Sequence, residues 1–263
     1  MSALLELIER AAAQVRPDRP GDRFGEGPLS FIQARDLILS RRYAVDCEAL
    51  IDPRSGVRRG YRARARFRQA DGRAVNAAEV FRKLHAQPAL LFHSEIEIKR
   101  LAFAGLGPTE PVWIDLDVDA YSAGESEDGN AWIRFLAPHA RRVIVEAVEN
   151  RHLVSTNRVY RMLRSLCGHQ FSVARCAESL IPVENAADWV RIDAGVGLHD
   201  PYRLPEFLRT VADAQRLGAR TLLTGVVRPD DVDIAADLGF DAVSGPVFEQ
   251  RRVSVWESGF ATS

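Results

Sequence analysis

The regular alternation of short strand-like runs with amphipathic helical segments, from about residue 43 onward, constrains the fold most. Eight runs are predicted to be strands: 43–51, 60–67, 112–118, 142–147, 170–174, 189–193, 220–223 and 241–243. Between most of them the apolar residues recur at helical spacing, as in NAAEVFRKLHAQ, STNRVYRMLRSLCG and LPEFLRTVADAQRLG. This many repeated units favour a closed TIM-type (β/α)8 barrel over an open sheet. We therefore predict an α/β protein whose functional groups lie at the carboxyl ends of the strands.

Residues 1–28 are predicted to form a short helical extension before the barrel. Residues 3–15 carry apolar side chains at helical spacing, and residues 16–28 are rich in proline, glycine and charge, which is typical of a linker. The barrel domain is predicted over 29–253, with Ser30 capping its first helix, and 254–263 form a tail. The helix at 3–15 needs an apolar surface, which a partner, a second copy or the chain's own barrel can supply.

Composition removes several classes of function. The 263 residues carry a formal net charge of -1, which gives no overall attraction to nucleic acid or to an anionic membrane. No apolar run is long enough to span a bilayer, and Glu6 and Glu9 occur where a signal peptide needs basic residues. The three cysteines are far apart and odd in number, which favours reduced thiols. We expect a cytoplasmic protein with no membrane span and no nucleic-acid partner.

Two predicted strands carry opposite charges on one face each. Arg62, Arg64, Arg66 and Arg68 alternate with other residues, as do Asp115, Asp117 and Asp119. If the two strands are neighbours, the arginines and the aspartates can pair across the ladder. The arginines alone would suit a phosphate or nucleic-acid contact. We favour internal neutralisation, because a buried charge needs a partner.

The other candidate sites in the sequence indicate no specific chemistry. Glu146 lies at a strand end, where a carboxylate can serve as a ligand or in a salt bridge. Cys167, His169 and Cys176 match none of the usual zinc spacings, and no phosphate-binding glycine loop is present. No histidine has a partner that the sequence identifies. The residues themselves therefore predict no metal and no cofactor.

Over nearly all of 30–250 the chain resembles the EAL domain of cyclic di-GMP phosphodiesterases. The resemblance rests on segments in the family's order and spacing: CEALID, SGVRRGYRARARF, ADGRAVNAAEVF, VWIDLD, VIVEAVE, FSVARCAESL, WVRID, LLTGVV and LGFDAVSGPVF. The literal Glu48-Ala49-Leu50 precedes the motif, whose true position is Arg62-Ala63-Arg64. The resemblance implies the same barrel fold.

The same resemblance implies that the family's chemistry is lost. EAL phosphodiesterases use water activated by divalent ions that carboxylates hold. The metal-ligating glutamate of the EAL motif corresponds to Arg62, the ligating asparagine to Asp115, and a second glutamate is kept as Glu146. The remaining family positions are occupied by Ala174, Arg175, Arg191, Thr224, Val227 and Ser244. A cation at the metal position repels the ion, so the resemblance implies no enzyme activity and no metal.

A structural role for Arg62 follows from these replacements. Asp115 and Glu146 would repel each other without a metal. We therefore expect the guanidinium of Arg62, with help from Arg191, to replace the ion as their partner.

The function implied is that of a catalytically inactive EAL-like regulator. Inactive relatives act through protein contacts in bacterial signalling, for example in motility or flagellar control. The alternative is a receptor that binds cyclic di-GMP without cleaving it, with Arg66 retained at the family's phosphate-contacting position. Cys176 and Ala177 replace the Phe-Gly of a loop that couples the family's dimer to its site, so the resemblance does not imply that dimer, and the oligomeric state stays open.

Overall fold

A computed structural model describes residues 29–148, 156–177 and 187–254. Its helices are α1 (Phe31–Leu39), α2 (Ala77–Leu84), α3 (Pro88–Gly105), α4 (Val118–Ala123), α5 (Ala131–Leu136), α6 (Thr156–Gly168), α7 (Leu204–Arg216) and α8 (Pro229–Asp237). Its longer strands are β1 (Tyr43–Ile51), β2 (Arg58–Arg68), β4 (Val112–Asp117), β7 (Val143–Val148), β8 (Ser172–Cys176), β9 (Trp189–Asp193), β10 (Arg220–Thr224) and β12 (Gln250–Ser254). Two-residue strands are β3 (Ala74–Val75), β5 (Glu125–Ser126), β6 (Gly129–Asn130) and β11 (Ala242–Val243).

Eight strands close into a barrel, which confirms the predicted fold class. Their order around the barrel is β1, β2, β4, β7, β8, β9, β10 and β11, and β11 pairs again with β1. Neighbouring strands from β2 to β11 are parallel, whereas β1 runs antiparallel to both of its neighbours. All eight predicted strands are present.

Two longer elements were not predicted. The helix α3 buries Glu95 and Lys99, which form an ion pair, and its apolar residues leave no clear polar face. The strand β12 pairs antiparallel with the first half of β1. It ends at Ser254, one residue beyond the predicted barrel boundary at 253. The predicted helix and linker at 1–28 and residues 255–263 lie outside the described residues.

The helix α1 begins where the sequence predicts. The side chain of Ser30 accepts a hydrogen bond from the backbone N–H of Gln33, and the side-chain oxygen of Gln33 accepts one from the backbone N–H of Ser30. This reciprocal pair satisfies two backbone groups that a helix start leaves open. No helix among the described residues is long and apolar enough to cross a membrane.

The inside of the barrel is divided into an apolar layer and a charged layer. The apolar layer is formed by Leu50, Trp113, Ala174, Trp189, Leu222 and Ala242. Because side chains alternate along a strand, the residue two positions later faces inward again, nearer the carboxyl end. On β4, β7 and β9 these residues are Asp115, Glu146 and Arg191. The apolar layer thus supports a cluster of charged side chains at the end of the barrel where such folds place their sites.

Candidate functional site at the carboxyl end of the barrel

Arg62 lies at the centre of this charged layer. Its Nη2 is 3.3 Å from both carboxylate oxygens of Asp115 and 3.9 Å from Oε2 of Glu146. Only 8% of the Arg62 side chain is exposed. The contact between Arg62 and both carboxylates that the sequence predicts is therefore present.

Glu146 is buried and receives most of the hydrogen bonds in the cluster. The Nε of Arg191 donates to its two oxygens at 2.8 and 3.0 Å. The indole Nε1 of Trp113 donates to Oε2 at 2.9 Å. Arg191 is thus the closer cationic partner of Glu146, and Arg62 is the partner of Asp115.

The electrostatics of the cluster stabilise the charged forms. Burial raises the pKa of Asp115, but the nearby Arg62 and Arg191 outweigh burial and leave this pKa below its usual range. Burial lowers the pKa of Arg62, yet Asp115 and Glu146 raise it above its usual value. The pKa of Arg191 is raised for the same reason, chiefly by Glu146. Two guanidinium groups therefore neutralise two carboxylates without any further ion.

The residues at this end of the barrel do not fit the divalent metal site of EAL phosphodiesterases. A cation site needs several oxygen ligands that are free to coordinate. Both oxygens of Glu146 already accept hydrogen bonds, and Asp115 faces the Arg62 guanidinium. Ala174 is buried and offers no side-chain oxygen, while Arg175 is buried on the opposite face of β8. We therefore derive no chemical step through a metal.

The partners predicted for Arg64 and Arg66 are wrong. Arg64 Nη1 is 3.1 Å from Oε1 of Glu48, and Arg66 Nε is 2.5 Å from Oδ2 of Asp46. Both acids lie on β1, whose register makes these contacts diagonal across the antiparallel pair. Arg252 of β12 donates to both oxygens of Asp46, at 2.6 and 3.1 Å. The arginines of β2 are thus neutralised from both sides, by β1 as well as by β4.

The placement of Asp117 and Asp119 also corrects the prediction. Asp117 ends β4 and caps α4, because its carboxylate accepts from the backbone N–H groups of Asp119 and Ala120. Asp119 belongs to α4 and not to the strand. Neither residue pairs with the arginines of β2 in the part of the chain that the structure describes.

The aspartates instead enclose His85, for which the sequence identified no partner. Its Nε2 is 3.1 Å from Asp117 Oδ2, and its Nδ1 is 3.0 Å from Asp119 Oδ2. Arg158 of α6 contacts Asp119 at 2.5 Å. The hydrogen bond that His85 donates to Asp117 raises the pKa of His85, although burial opposes this. The three ligand atoms are close enough to hold a metal ion. Because Arg158 and the imidazole of His85 already contact the two carboxylates, we interpret this group as a structural cluster.

Comparison with known proteins places this geometry in context. No model of a protein family matches the chain, and no curated protein matches it. Several solved structures, however, are similar to the fold of this chain. An EAL domain protein from Listeria monocytogenes EGD-e is 15% identical with a TM-score of 0.65, over 90% of this chain and 100% of that one. The PaMucR phosphodiesterase in complex with c-di-GMP is 14% identical with a TM-score of 0.69, over 88% and 100%.

A third similar structure is the Bacillus subtilis YkuI protein, with an EAL domain, in complex with substrate c-di-GMP and calcium. It is 15% identical with a TM-score of 0.65, and the match covers 82% of this chain and 57% of that chain. These likenesses agree with the closed barrel. The chain therefore has the fold of the EAL domains.

Proposed function

We propose that this protein is a catalytically inactive EAL-like regulator that acts by contacting another protein in bacterial cyclic di-GMP signalling. The observation that carries the proposal is the position of Arg62. Its guanidinium lies against Asp115 and near Glu146, the two carboxylates that remain at the family's metal-ligating positions. A divalent ion would have to displace a buried cation from its own partners.

The electrostatic balance supports inactivity. Hydrolysis of a phosphodiester by this fold needs metal-activated water, because the metal lowers the pKa of the water and polarises the phosphate. Removing the Arg62 guanidinium from the carboxylates would leave a buried charge without compensation. Ala174 gives the ion no ligand in return. The cluster therefore favours its own ion pairs over a metal.

Apolar side chains near the same end of the barrel support a protein partner. Tyr202 is 93% exposed in the loop after β9, and Val227 is 59% exposed in the loop after β10. Val196 also remains partly exposed in the loop after β9. The three side chains all belong to segments that follow barrel strands, at the end of the barrel that carries the charged cluster. A partner at this end of the barrel would use the loops that surround the ligand site in barrel enzymes.

A second candidate is a receptor that binds cyclic di-GMP without cleaving it. Arg66 favours it, because this arginine is retained and 38% of its side chain is exposed. Two of the similar structures hold c-di-GMP. Against it, the Arg66 guanidinium already bonds to Asp46, so a phosphate would have to compete with a buried carboxylate.

Calorimetric titration of cyclic di-GMP into the purified protein separates these functions. The titration is run with and without Mg²⁺ on the wild type, on Arg66→Ala, and on Arg59→Ala as a control for loss of an exposed arginine from the same strand. No heat at high nucleotide concentration supports the protein-binding regulator. Binding that ignores Mg²⁺ and is weakened only by Arg66→Ala supports the receptor instead. Binding that requires Mg²⁺ and ends in hydrolysis would contradict both.

A further inference from the structure

The outer face of α1 borders a groove that apolar and polar side chains line together. Ile32 and Leu39 are 67% and 66% exposed, and their spacing of seven residues places them two turns apart on one side of the helix. The residues that α1 buries against the barrel are others: Ala34, Leu37 and Ile38. Together with Gln69 and Ala70, which follow β2, the exposed face lines a cavity of about 400 Å³. An apolar helix face of this kind is normally covered by another element.

The chain enters the described fold beside this groove. Leu29 lines the cavity, and its backbone N–H donates to Oε1 of Glu79 at 2.8 Å. This bond fixes Leu29, the first described residue, next to α1. The segment 3–15 is joined to this point through residues 16–28.

We propose that residues 3–15 of the same chain occupy this groove as an amphipathic helix. The segment carries Leu5, Ile8 and Ala12 at the i, i+3 and i+7 spacing of a single apolar stripe. Two turns of this stripe match the separation of Ile32 and Leu39 on α1. The apolar stripe of residues 3–15 needs an apolar surface, and Ile32 and Leu39 provide one of matching length.

Charge complements the apolar match. The groove is edged by the exposed Arg35 and the half-buried Arg42, for which the segment offers Glu6 and Glu9. The exposed Asp36 lies between Ile32 and Leu39 on α1, and the segment offers Arg10. These pairings contribute modestly at the surface, but they favour this orientation over one that brings like charges together.

The tether makes weak docking sufficient. The 13 residues from 16 to 28 can extend to about 43 Å, and the helix itself would be about 20 Å long, so the segment can fold back onto α1. A short linker gives an effective concentration of roughly a millimolar. With an intrinsic dissociation constant of only about 0.1 mM, the docked form would then outnumber the undocked form by about ten to one. This inference does not depend on the proposed function, because it involves neither the barrel cluster nor a nucleotide.

Hydrogen–deuterium exchange on the full chain tests the proposal. Four proteins are compared: the wild type, Ile8→Asp in the segment, the double variant Ile32→Asp/Leu39→Asp in the groove, and Leu208→Asp on α7 as a control at another partly exposed leucine. We expect the amides of residues 3–15 to exchange about tenfold more slowly than in an unstructured chain, in the wild type and in Leu208→Asp. Ile8→Asp and the groove variant should lose that protection, because each places a charge in the apolar contact. The groove substitutions replace exposed side chains, and a thermal melt checks that the barrel remains folded.

Several outcomes would overturn the proposal. Unprotected amides at 3–15 in the wild type would mean that the segment does not dock. Protection that survives Ile32→Asp/Leu39→Asp would mean that it docks elsewhere. Protection that falls on dilution would show that a second copy, and not the same chain, supplies the segment.

Discussion

Replacing Arg62 by alanine should destabilise the protein by about 2 to 3 kcal/mol at neutral pH. Removing one partner of a buried ion pair typically costs about 3 to 5 kcal/mol, because the other charge remains buried without compensation. Two features reduce this figure here. The side chain of Asp115 is 38% exposed, so water compensates for part of the loss, and Glu146 keeps its bonds from Arg191 and Trp113. Urea unfolding followed by tryptophan fluorescence gives the free energy of unfolding.

The control for this variant is Arg59→Ala, on the same strand. Arg59 contacts Asp52 at 2.5 Å, but 59% of its side chain is exposed, so its removal should cost at most about 1 kcal/mol. A loss for Arg62→Ala no greater than that for Arg59→Ala would refute the reasoning, because Arg62 would then compensate no buried charge.

The pH dependence gives a second test of the same variant. The pKa of Asp115 is lower in the folded protein than its usual value near 3.8, so this carboxylate contributes stability that is present above that value and is lost as pH falls. Without Arg62 this contribution disappears. The stability difference between wild type and variant should therefore stay nearly constant from pH 7 to about 4 and narrow as the pH falls further. A difference that stays constant below pH 4 as well would show that lost packing, and not charge, is responsible.

Three further predictions concern neighbouring groups. Because the pKa of His85 is raised in the folded protein, this residue stabilises the fold below about pH 6.5, and the stabilisation is lost as the pH rises through the folded-state pKa. In urea titrations over pH 6.5 to 8.5, the free energy of unfolding of His85→Gln should therefore vary less with pH than that of the wild type. Trp113→Phe should cost about 1 to 2 kcal/mol by leaving Glu146 short of a donor, whereas Trp189→Phe, whose indole nitrogen has no hydrogen-bond partner among the described residues, should cost less in the same assay. Burial raises the pKa of Asp46, but hydrogen bonds from Arg252 and Arg66 lower it overall, so its charge stabilises the fold above about pH 4 and this stabilisation fades as the pH falls further. Asp46→Asn should therefore lower the melting temperature at pH 7 and lower it less as the pH falls below about 4; an equal loss at every pH would count against this.

The barrel could be predicted from the sequence because its strands repeat in a regular pattern. Several strands, such as β7, β9 and β10, are short runs followed by a helix with a clear polar face, and both periods are legible in the residues. The helix α3 was not predicted because it places an ion pair, Glu95 with Lys99, inside its buried surface. The strand β12 was not predicted because QRRVS is mostly polar and forms a strand only by pairing with β1.

The contacts of the site could be predicted where the family motif fixes which residues face one another. Arg62, Asp115 and Glu146 were expected to meet because the family places the corresponding residues around one metal. The partners of Arg64 and Arg66 depended instead on which strands flank β2, and the sequence does not state this. Asp46 and Glu48, two acids within an otherwise apolar run, were the available signal. His85 gave no signal, because its partner Asp117 lies 32 positions later and meets it only in the folded barrel.

The most direct test of the central claim is hydrolysis of cyclic di-GMP by the purified protein, measured over a titration with Mn²⁺ and with Mg²⁺. We expect no hydrolysis of cyclic di-GMP above the rate without protein at any metal concentration, because Arg62 and Arg191 already neutralise the carboxylates that an ion would need. Metal-dependent turnover that Glu146→Gln abolishes would contradict it.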